Sequence, residues 1–297
     1  MSRVRPVDVD DALLRDWPLP EPHPEGDKES RGRVLVVAGS REMPGAAVLA
    51  GTAALRAGAG KLVIATPASA APVVAGAMPE ARVIALPESS DGSPTRFGLP
   101  PLQALARSTG ALLVGPGMIG REGTLAFVRE LLPVFRESPI VLDALAMDIV
   151  KSIDRFGQPV VLTPHAGEMA HLTGNGKEEV KEEPVDTALQ QAREWNAVLA
   201  LKGATTVIAS PDDRAWIHQA EAPGLGTSGS GDVLAGLVAG LAARGATAEQ
   251  AMAWGVALHA RAGQRLAARM GALGFLAREL PAEVPHVMQQ LAKKKAP

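Results

Sequence analysis

Short apolar, β-branched runs alternate with Ala- and Leu-rich stretches along most of this chain of 297 residues. The first unit has an apolar run at residues 33–38, an Ala/Leu-rich stretch at 45–57 and a second apolar run at 61–66. Gly58 stands where a C-capping glycine belongs, and Pro67 ends the second run. A strand, a helix and a strand within about thirty residues are typical of a βαβ unit.

The alternation continues along the chain. Further strands are predicted at residues 82–86, 111–114, 140–143, 160–163, 198–202, 205–209 and 215–218, and further helices at 122–136, 186–195, 231–244 and 248–269. Residues 94–101 are predicted as loop and residues 174–185 as a charged surface segment. This order favours an α/β fold with a mostly parallel sheet and helices on both faces. We expect one domain over residues 31–290 and, before it, a polar segment at 1–30 that is mostly irregular or forms a short helix.

Composition excludes several functional classes. Thirty basic and 32 acidic side chains give a net charge of −2, so nothing indicates a nucleic-acid partner. The absence of cysteine excludes disulfides, thiolate metal sites and cysteine nucleophiles. The N-terminus lacks the apolar core of a secretory signal, and no apolar run is long enough to span a membrane. We therefore expect a cytoplasmic enzyme, with the lysines at 293–295 in a solvated tail.

Residues 226–232, Gly-Thr-Ser-Gly-Ser-Gly-Asp, lead directly into an apolar helix. Three glycines let backbone N–H groups approach a ligand closely, and the positive end of the helix points at this loop, so the segment predicts an anion site for phosphate. A carboxylate at Asp232 would repel phosphate unless it had a function, such as accepting a proton from a substrate hydroxyl. The alternative is that Asp232 only caps the helix and the glycines only form a turn.

Other polar residues stand at the ends of predicted strands, where open α/β sheets bind their ligands. Asp143 could hold a cation or complete a turn, and Glu168 could hold a metal through water or cap the next helix. His165 could contact a ligand or be satisfied by backbone groups. Lys202 ends an apolar run, where a charge is costly unless it is paired. Gly117 could approach a substrate or serve only a turn.

The Gly229-Ser230-Gly231-Asp232 segment resembles the anion hole of ribokinase-like enzymes, which transfer a nucleotide phosphate to a small-molecule hydroxyl. Within that superfamily the chain resembles the ADP-dependent NAD(P)H-hydrate dehydratases over about residues 30–265. The segments that carry the resemblance, in the family's order, lie at residues 33–40, 43–47, 115–117, 163–168 and 201–206.

The resemblance implies a ribokinase-like three-layer α/β/α sandwich and a role for each matching residue. Asp232 would be the catalytic base. The hydrated dinucleotide would be contacted by Ala46, Gly117, His165 and Asp232. The nucleotide would be contacted by Lys202, Gly203, Ala204, Thr205, Thr206 and Gly231. The anion hole would be formed by Gly229, Ser230 and Gly231, and Glu168 would hold a metal through water.

The implied reaction is the dehydration of the S epimer of hydrated NADH or NADPH (NADHX, NADPHX), a form of the nicotinamide coenzymes that the cell repairs. The hydroxyl is phosphorylated and phosphate is then eliminated, while ADP becomes AMP with Mg²⁺ as cofactor. Nothing in the residues distinguishes ADP from ATP. By the same resemblance we expect a homo-oligomer, a tetramer, working with a separate epimerase, because about 30 residues before the first strand are too few for a fused epimerase domain.

The chain departs from the family at four places. Leu145 stands where the family has a second aspartate, which removes a carboxylate beside Asp143. Ala166 replaces a proline, Ser228 replaces a glycine, and residues 29–32 replace the usual glycine-containing link into the first strand.

Two other functions fit parts of this pattern. A ribokinase-like kinase for a vitamin precursor fits the glycine loop equally well but fits residues 43–47 and 163–168 less well. A non-catalytic nucleotide-binding protein is mildly favoured by Leu145, whereas Asp232 and the intact loop argue against it.

Overall fold

The computed structural model describes residues 4–21 and 25–292, so the predicted lysine tail at 293–295 lies outside the described residues. Ten strands of this described part form one sheet, in the order β1-β10-β9-β8-β7-β6-β5-β2-β3-β4. They are β1 (Val7–Asp8), β2 (Arg33–Val37), β3 (Lys61–Pro67), β4 (Ala81–Leu86), β5 (Ala111–Val114), β6 (Ile140–Leu142), β7 (Val160–Leu162), β8 (Val198–Leu201), β9 (Thr205–Ala209) and β10 (Ala215–Gln219).

The sheet is mostly parallel, as the sequence predicts. Among the described strands, β9 runs against both of its neighbours, β8 and β10, and every other neighbouring pair is parallel. The strands β2 to β8 therefore all place their carboxyl ends at the same edge. Ligands of such sheets bind beyond this edge.

Eleven α-helices of the described part cover the sheet. They are α1 (Asp11–Asp16), α2 (Pro44–Arg56), α3 (Ala71–Ala77), α4 (Leu99–Gln103), α5 (Arg121–Leu131), α6 (Ala166–Thr173), α7 (Lys177–Glu182), α8 (Pro184–Trp195), α9 (Ser230–Ala243), α10 (Ala248–Met270) and α11 (Leu280–Ala292). Shorter 3₁₀ helices include Arg96–Gly98, Leu132–Phe135 and Ala144–Ser152.

Two expectations about the connections were partly wrong. The predicted loop at residues 94–101 contains a 3₁₀ turn and the start of α4, whose Leu99 and Leu102 are buried in the core. The charged segment at 174–185 contains α7, which buries Val180. Burial of apolar side chains stabilises both short helices, and the Lys and Glu residues of α7 also favour a helix locally.

Successive side chains of β2 point to opposite faces of the sheet. Val34 and Val36 pack in one buried cluster with α2, α9, α10 and α11. Leu35 and Val37 pack in a second buried cluster with α5, α6 and α8. The predicted helical layers on both faces are confirmed, and the fold is a three-layer α/β/α sandwich.

Helix α9 lies directly against α2 because glycines remove the side chains at the contact. A Cβ added to Gly236 would overlap the carbonyl of Ala50, and one added to Gly240 would lie 2.5 Å from the carbonyl oxygen of Ala54. This close contact fixes the direction in which the N-terminus of α9 points. On the neighbouring α10, Trp254 is buried and its indole donates to the carbonyl of Trp17, so it belongs to the core.

Residues 1–30 contain β1 and α1 in their described part, so the expected short helix is present and a short strand is added to the sheet edge. We propose that residues 31–290 form a single domain around this sheet. No helix within residues 4–21 and 25–292 is long and apolar enough to cross a membrane.

Candidate active site

Three adjacent parallel strands bring polar side chains together at their carboxyl ends. Asp143 follows β6, Thr163 follows β7, and Lys202 follows β8. The hydroxyl of Thr163 donates to Oδ1 of Asp143 over 2.6 Å, and Nζ of Lys202 lies 3.8 Å from the same oxygen. Asp143 is only 3% exposed, so its charge depends on these partners. Lys202 is therefore a paired lysine and not a solvated one.

Helix α6 begins at this edge with a reciprocal cap. Nδ1 of His165 accepts from the backbone N–H of Glu168 over 3.0 Å, and Oε2 of Glu168 accepts from the backbone N–H of His165 over 2.8 Å. The same carboxylate lies 3.7 Å from Nζ of Lys202. Since Nδ1 is an acceptor, Nε2 of the neutral imidazole carries the proton.

The structure is compatible with both interpretations of His165 and Glu168, as capping residues and as residues that contact a ligand or a metal. The two residues satisfy backbone groups at the start of α6, as the simpler alternatives predict. The His165 side chain also remains exposed, and Glu168 also faces a lysine.

The glycine loop forms the N-terminus of α9. Gly229 has a φ of +84° and precedes the helix, and Asp232 is the third helical residue. Asp232 is therefore not the N-cap, and that part of the simpler alternative is wrong. A Cβ added to Gly231 would lie 3.5 Å from Nζ of Lys202, so the helix end faces an ammonium group. Of the predicted anion hole, the N–H of Ser230 already donates to the carbonyl of Thr227, which leaves the N–H groups of Gly229 and Gly231. These groups and the facing lysine make a site for an anionic phosphate.

The environment of Asp232 suits a general base. Burial first and the negative charge of Asp143 second raise the pKa of its carboxyl to about 7, against the opposing charge of Lys202. A carboxylate that titrates near neutral pH can accept a proton from an alcohol far better than an ordinary aspartate can. This shift has the two causes, desolvation and a like charge, that typically occur together in active sites.

A cavity of about 600 Å³ opens beside this helix end. Its polar lining is contributed by His165, Lys202, Thr206, Thr227, Ser230 and His259. Its apolar lining is contributed by Ala220, Ala222, Pro223, Leu225, Leu234, Val256 and Ala260, and the backbone at 203, 204, 226 and 231 completes it. The cavity thus combines an apolar wall with a charged end, as a nucleotide requires.

Most of the residues predicted to contact the nucleotide line this cavity, namely Lys202, Gly203, Ala204, Thr206 and Gly231. Thr205 does not line it; its side chain is exposed at the start of β9. His165, predicted to contact the substrate, lines the same cavity, so it stands between the two predicted binding regions.

Two other predicted substrate residues meet beside the start of α2: Ala46 in its first turn and Gly117 in the turn after β5. Gly117 has a φ of +66°, and a Cβ added to it would lie 2.5 Å from Cβ of Ala46 and 2.9 Å from the carbonyl oxygen of Met43. Both the turn and the close approach therefore require glycine. Gly115 in the same turn lies directly against the carbonyl of Asp143, which joins this region to the charged end of the cavity.

No group of three or more His, Asp or Glu side chains suited to a metal ion occurs in the described ranges. Leu145, where a second acidic residue was expected, lies half-buried in the 3₁₀ helix Ala144–Ser152. The carboxylates near the phosphate site are those of Asp143, Glu168 and Asp232.

His259 was missed by the sequence analysis. It lies on α10, and its Nε2 is 2.9 Å from Oγ and 3.0 Å from the carbonyl oxygen of Ser230. A histidine within a small-residue apolar helix was the available signal, but its partner is 29 residues away along the chain.

Comparison with known proteins places this geometry in a family. The sequence model of the NAD(P)H-hydrate dehydratases matches residues 34–286. An ADP-dependent (S)-NAD(P)H-hydrate dehydratase of Xanthomonas campestris pv. campestris is 50% identical over 98% of both chains. A bifunctional NAD(P)H-hydrate repair enzyme of Moorella thermoacetica is 40% identical over 93% of this chain, which spans 53% of that enzyme's length.

Among solved structures, the ADP/ATP-dependent NAD(P)H-hydrate dehydratase of Bacillus subtilis, co-crystallised with ATP/Mg²⁺, has a TM-score of 0.85. The two proteins are 30% identical, and the match covers 98% of this chain and 100% of the other.

Proposed function

This chain belongs to the NAD(P)H-hydrate dehydratase family, and we propose that it dehydrates the S epimer of NADHX and NADPHX with ADP as the phosphoryl donor. The observation that carries the proposal is the carboxyl of Asp232, with its pKa raised to about 7, on the first turn of a helix whose N-terminus faces Lys202. A base and an anion site in one turn are what transfer of phosphate to a hydroxyl needs.

The nucleotide occupies the cavity of about 600 Å³, with its base against the apolar wall and its phosphates at Lys202 and the N-terminus of α9. The hydrated nicotinamide lies on the other side of Asp232, against Ala46 and Gly117. His165 donates from Nε2 between the two. This arrangement places the substrate hydroxyl next to the phosphate that it must attack.

Asp232 accepts the proton of the hydroxyl on C6 of the hydrated ring as the hydroxyl oxygen attacks the β-phosphorus of ADP. The bond from this phosphorus to the bridging oxygen breaks, and AMP leaves. The N–H groups at Gly229 and Gly231, together with Lys202, stabilise the negative charge on the transferred group, while the N–H of Ser230 donates to the carbonyl of Thr227.

The phosphorylated ring then loses phosphate from C6 and a proton from the neighbouring carbon, which restores the double bond of NADH or NADPH. The sum of the two steps converts one hydrated coenzyme and one ADP to one reduced coenzyme, one AMP and one phosphate. Phosphorylation is needed because hydroxide is a poor leaving group.

The acidic residues fit a magnesium ion that is carried mainly by the nucleotide. Mg²⁺ is usually bound by one or two carboxylates, phosphate oxygens and waters, and Glu168 and Asp143 flank Lys202 at the phosphate end. We propose that Glu168 holds the ion through water. When bound, Mg²⁺ neutralises charge on the nucleotide phosphates.

The proposal extends to the oligomeric state, the cellular compartment and a partner enzyme. We expect a homo-oligomer, a tetramer, in the cytoplasm, where it would act on coenzyme that a separate epimerase has converted to the S form. The bifunctional relatives, named as repair enzymes about twice as long as this chain, favour such a partnership.

The test is incubation of the protein with NADHX, Mg²⁺ and either ADP or ATP, with reduced nicotinamide absorbance and nucleotide products measured together. The proposal predicts NADH and AMP in equal amounts. A kinase would instead leave a stable phosphorylated product and no NADH, and a binding protein would bind ADP without forming AMP.

A further inference from the structure

The buried start of α9 is held by a side chain that the proposed reaction does not use. Ser230 is 5% exposed, and Nε2 of His259 lies within hydrogen-bond distance of both its Oγ and its carbonyl oxygen. A carbonyl oxygen can only accept, so Nε2 carries the proton and donates it to Ser230.

The bond to the carbonyl of Ser230 constrains the next amide. In a planar trans peptide the carbonyl of one residue and the N–H of the following residue point in opposite directions. Fixing the carbonyl of Ser230 therefore fixes the direction of the N–H of Gly231. That N–H has no partner within the helix, because Gly231 is the second helical residue, and it lies at the end that faces Lys202.

The surroundings of His259 keep it uncharged. Burial, with a smaller contribution from the charge of Lys202, lowers the pKa of its imidazole to about 4, although the bond to the backbone of Ser230 acts in the opposite direction. The imidazole is therefore a neutral donor that remains in one protonation state at any pH at which Asp232 can act as a base. A lysine or arginine in its place would put another charge in a buried site that already contains Lys202.

We propose that His259 is a positioning residue for the phosphoryl-transfer step, holding the Ser230–Gly231 peptide so that the N–H of Gly231 points at the transferred phosphate. This inference rests on the proposed function. Through this peptide, α10 influences the anion site, although His259 itself contacts no reacting atom.

The experiment compares His259→Leu with His259→Gln in the full-length protein. Leucine fills the space but cannot donate, whereas the amide of glutamine can. We expect kcat of His259→Leu to fall at least about tenfold, since lost or misdirected oxyanion donors lower kcat strongly. KM for ADP should change less than kcat, because Lys202 and the apolar wall remain, although His259 also lines the cavity. His259→Gln should recover most of the lost kcat.

Leu266→Ala on the same helix is the stability control, since Leu266 is fully buried and lies outside the cavity lining. It should lower Tm and leave kcat unchanged well below Tm. Equal losses of kcat in the Leu and Gln variants, or a kcat of His259→Leu within twofold of wild type, would overturn the proposal.

A second measurement does not depend on turnover. In ¹⁵N-glycine-labelled protein, addition of ADP should displace the Gly231 amide resonance in wild type and in His259→Gln, and the displacement should fall by at least half in His259→Leu. If wild type binds ADP but forms no NADH, the proposed function fails while the NMR comparison still decides the role of His259. An unchanged displacement in His259→Leu would contradict that role.

Discussion

The ammonium nitrogen of Lys202 lies 3.8 Å from Oδ1 of Asp143, across the ends of two strands, β8 and β6, that are not neighbours in the sheet. The strand between them, β7, contributes Thr163 to the same carboxylate. Three strand ends are thereby joined by one buried charge. The ion pair holds the ammonium of Lys202 opposite the positive N-terminal end of α9, and an anion bound between the two would be attracted by both.

Replacing Lys202 by methionine should therefore weaken nucleotide binding. We expect KM for ADP to rise at least about tenfold, since charge-assisted bonds to phosphate are among the stronger polar contacts. The same change removes a charge that opposes the raised pKa of Asp232, so the acid limb of the kcat profile should move to higher pH. Lys181→Met is the matched control, because Lys181 lies on the surface and pairs with the exposed Glu178. A Lys202→Met enzyme with wild-type KM would exclude this contact.

Activity should depend on pH through the ionisation of Asp232. Its pKa is about 7 because of burial first and the charge of Asp143 second, and only the ionised carboxylate can accept a proton. The measured kcat should rise with pH through about 7 and reach a plateau above it. A profile that is already flat at pH 5 would show that the base has an ordinary pKa or lies elsewhere.

The same carboxyl should make the folded state less stable as pH rises. Between about pH 4 and pH 7 the folded protein retains a proton on Asp232 that the unfolded chain has lost, so the free energy of unfolding decreases through this window. Asp232→Asn cannot ionise. By urea denaturation it should match wild type near pH 4 and exceed it by a few kcal/mol at pH 8, at about 1.4 kcal/mol per unit of pKa shift. Equal stabilities at pH 8 would contradict the raised pKa.

Gly117→Ala should act on the substrate side alone. The new methyl would meet Ala46 at 2.5 Å, in a backbone conformation that disfavours side chains. We expect a loss of about 1–3 kcal/mol of stability and a raised KM for NADHX, with KM for ADP unchanged. Gly76→Ala in α3 meets nothing within 4 Å and should leave both constants unchanged. If Gly117→Ala raised only KM for ADP, the Gly117 region would bind ADP and not NADHX, and the assignment of the two binding regions would be reversed.

Glu168→Gln should raise the Mg²⁺ concentration needed for half-maximal rate at least about threefold, since it removes the carboxylate charge proposed to hold the ion through water. Its effect on stability should be small because the amide oxygen can still accept from the N–H of His165. Glu179→Gln makes the same change at the start of the next helix, α7, where Oε2 of Glu179 accepts from the N–H of Gly176, and should have no magnesium effect. Identical magnesium curves for the two variants would restrict Glu168 to capping.

The sequence predicts the central strands well for a physical reason. Buried parallel strands such as β2 are continuous apolar runs, and Gly58, with a φ of +99°, ends α2 where a capping glycine was expected. Several helices were missed, among them α3 and α11. Helix α3 is built from Ala, Pro, Val and Gly without a polar face, and α11 contains Pro285 in its interior. Packing against the core overrides the weak local preference in both.

The site was predictable where its chemistry is contained in a short segment. The glycine loop, Asp232 and Lys202 stand out locally, and parallel strands bring their ends together. The bond between Ser230 and His259 depends on how α10 packs beside α9, which no local pattern determines. The second role of Glu168, opposite Lys202, likewise appears only when β8 lies beside β7.

The most direct test of the central claim is the turnover of Asp232→Asn with NADHX, ADP and Mg²⁺ at pH 8, measured together with its affinity for ADP. The account predicts wild-type affinity and a kcat reduced at least about 100-fold, because the folded site is intact and only the base is lost. A kcat within a few-fold of wild type would contradict the assignment of Asp232 as the group that activates the hydroxyl.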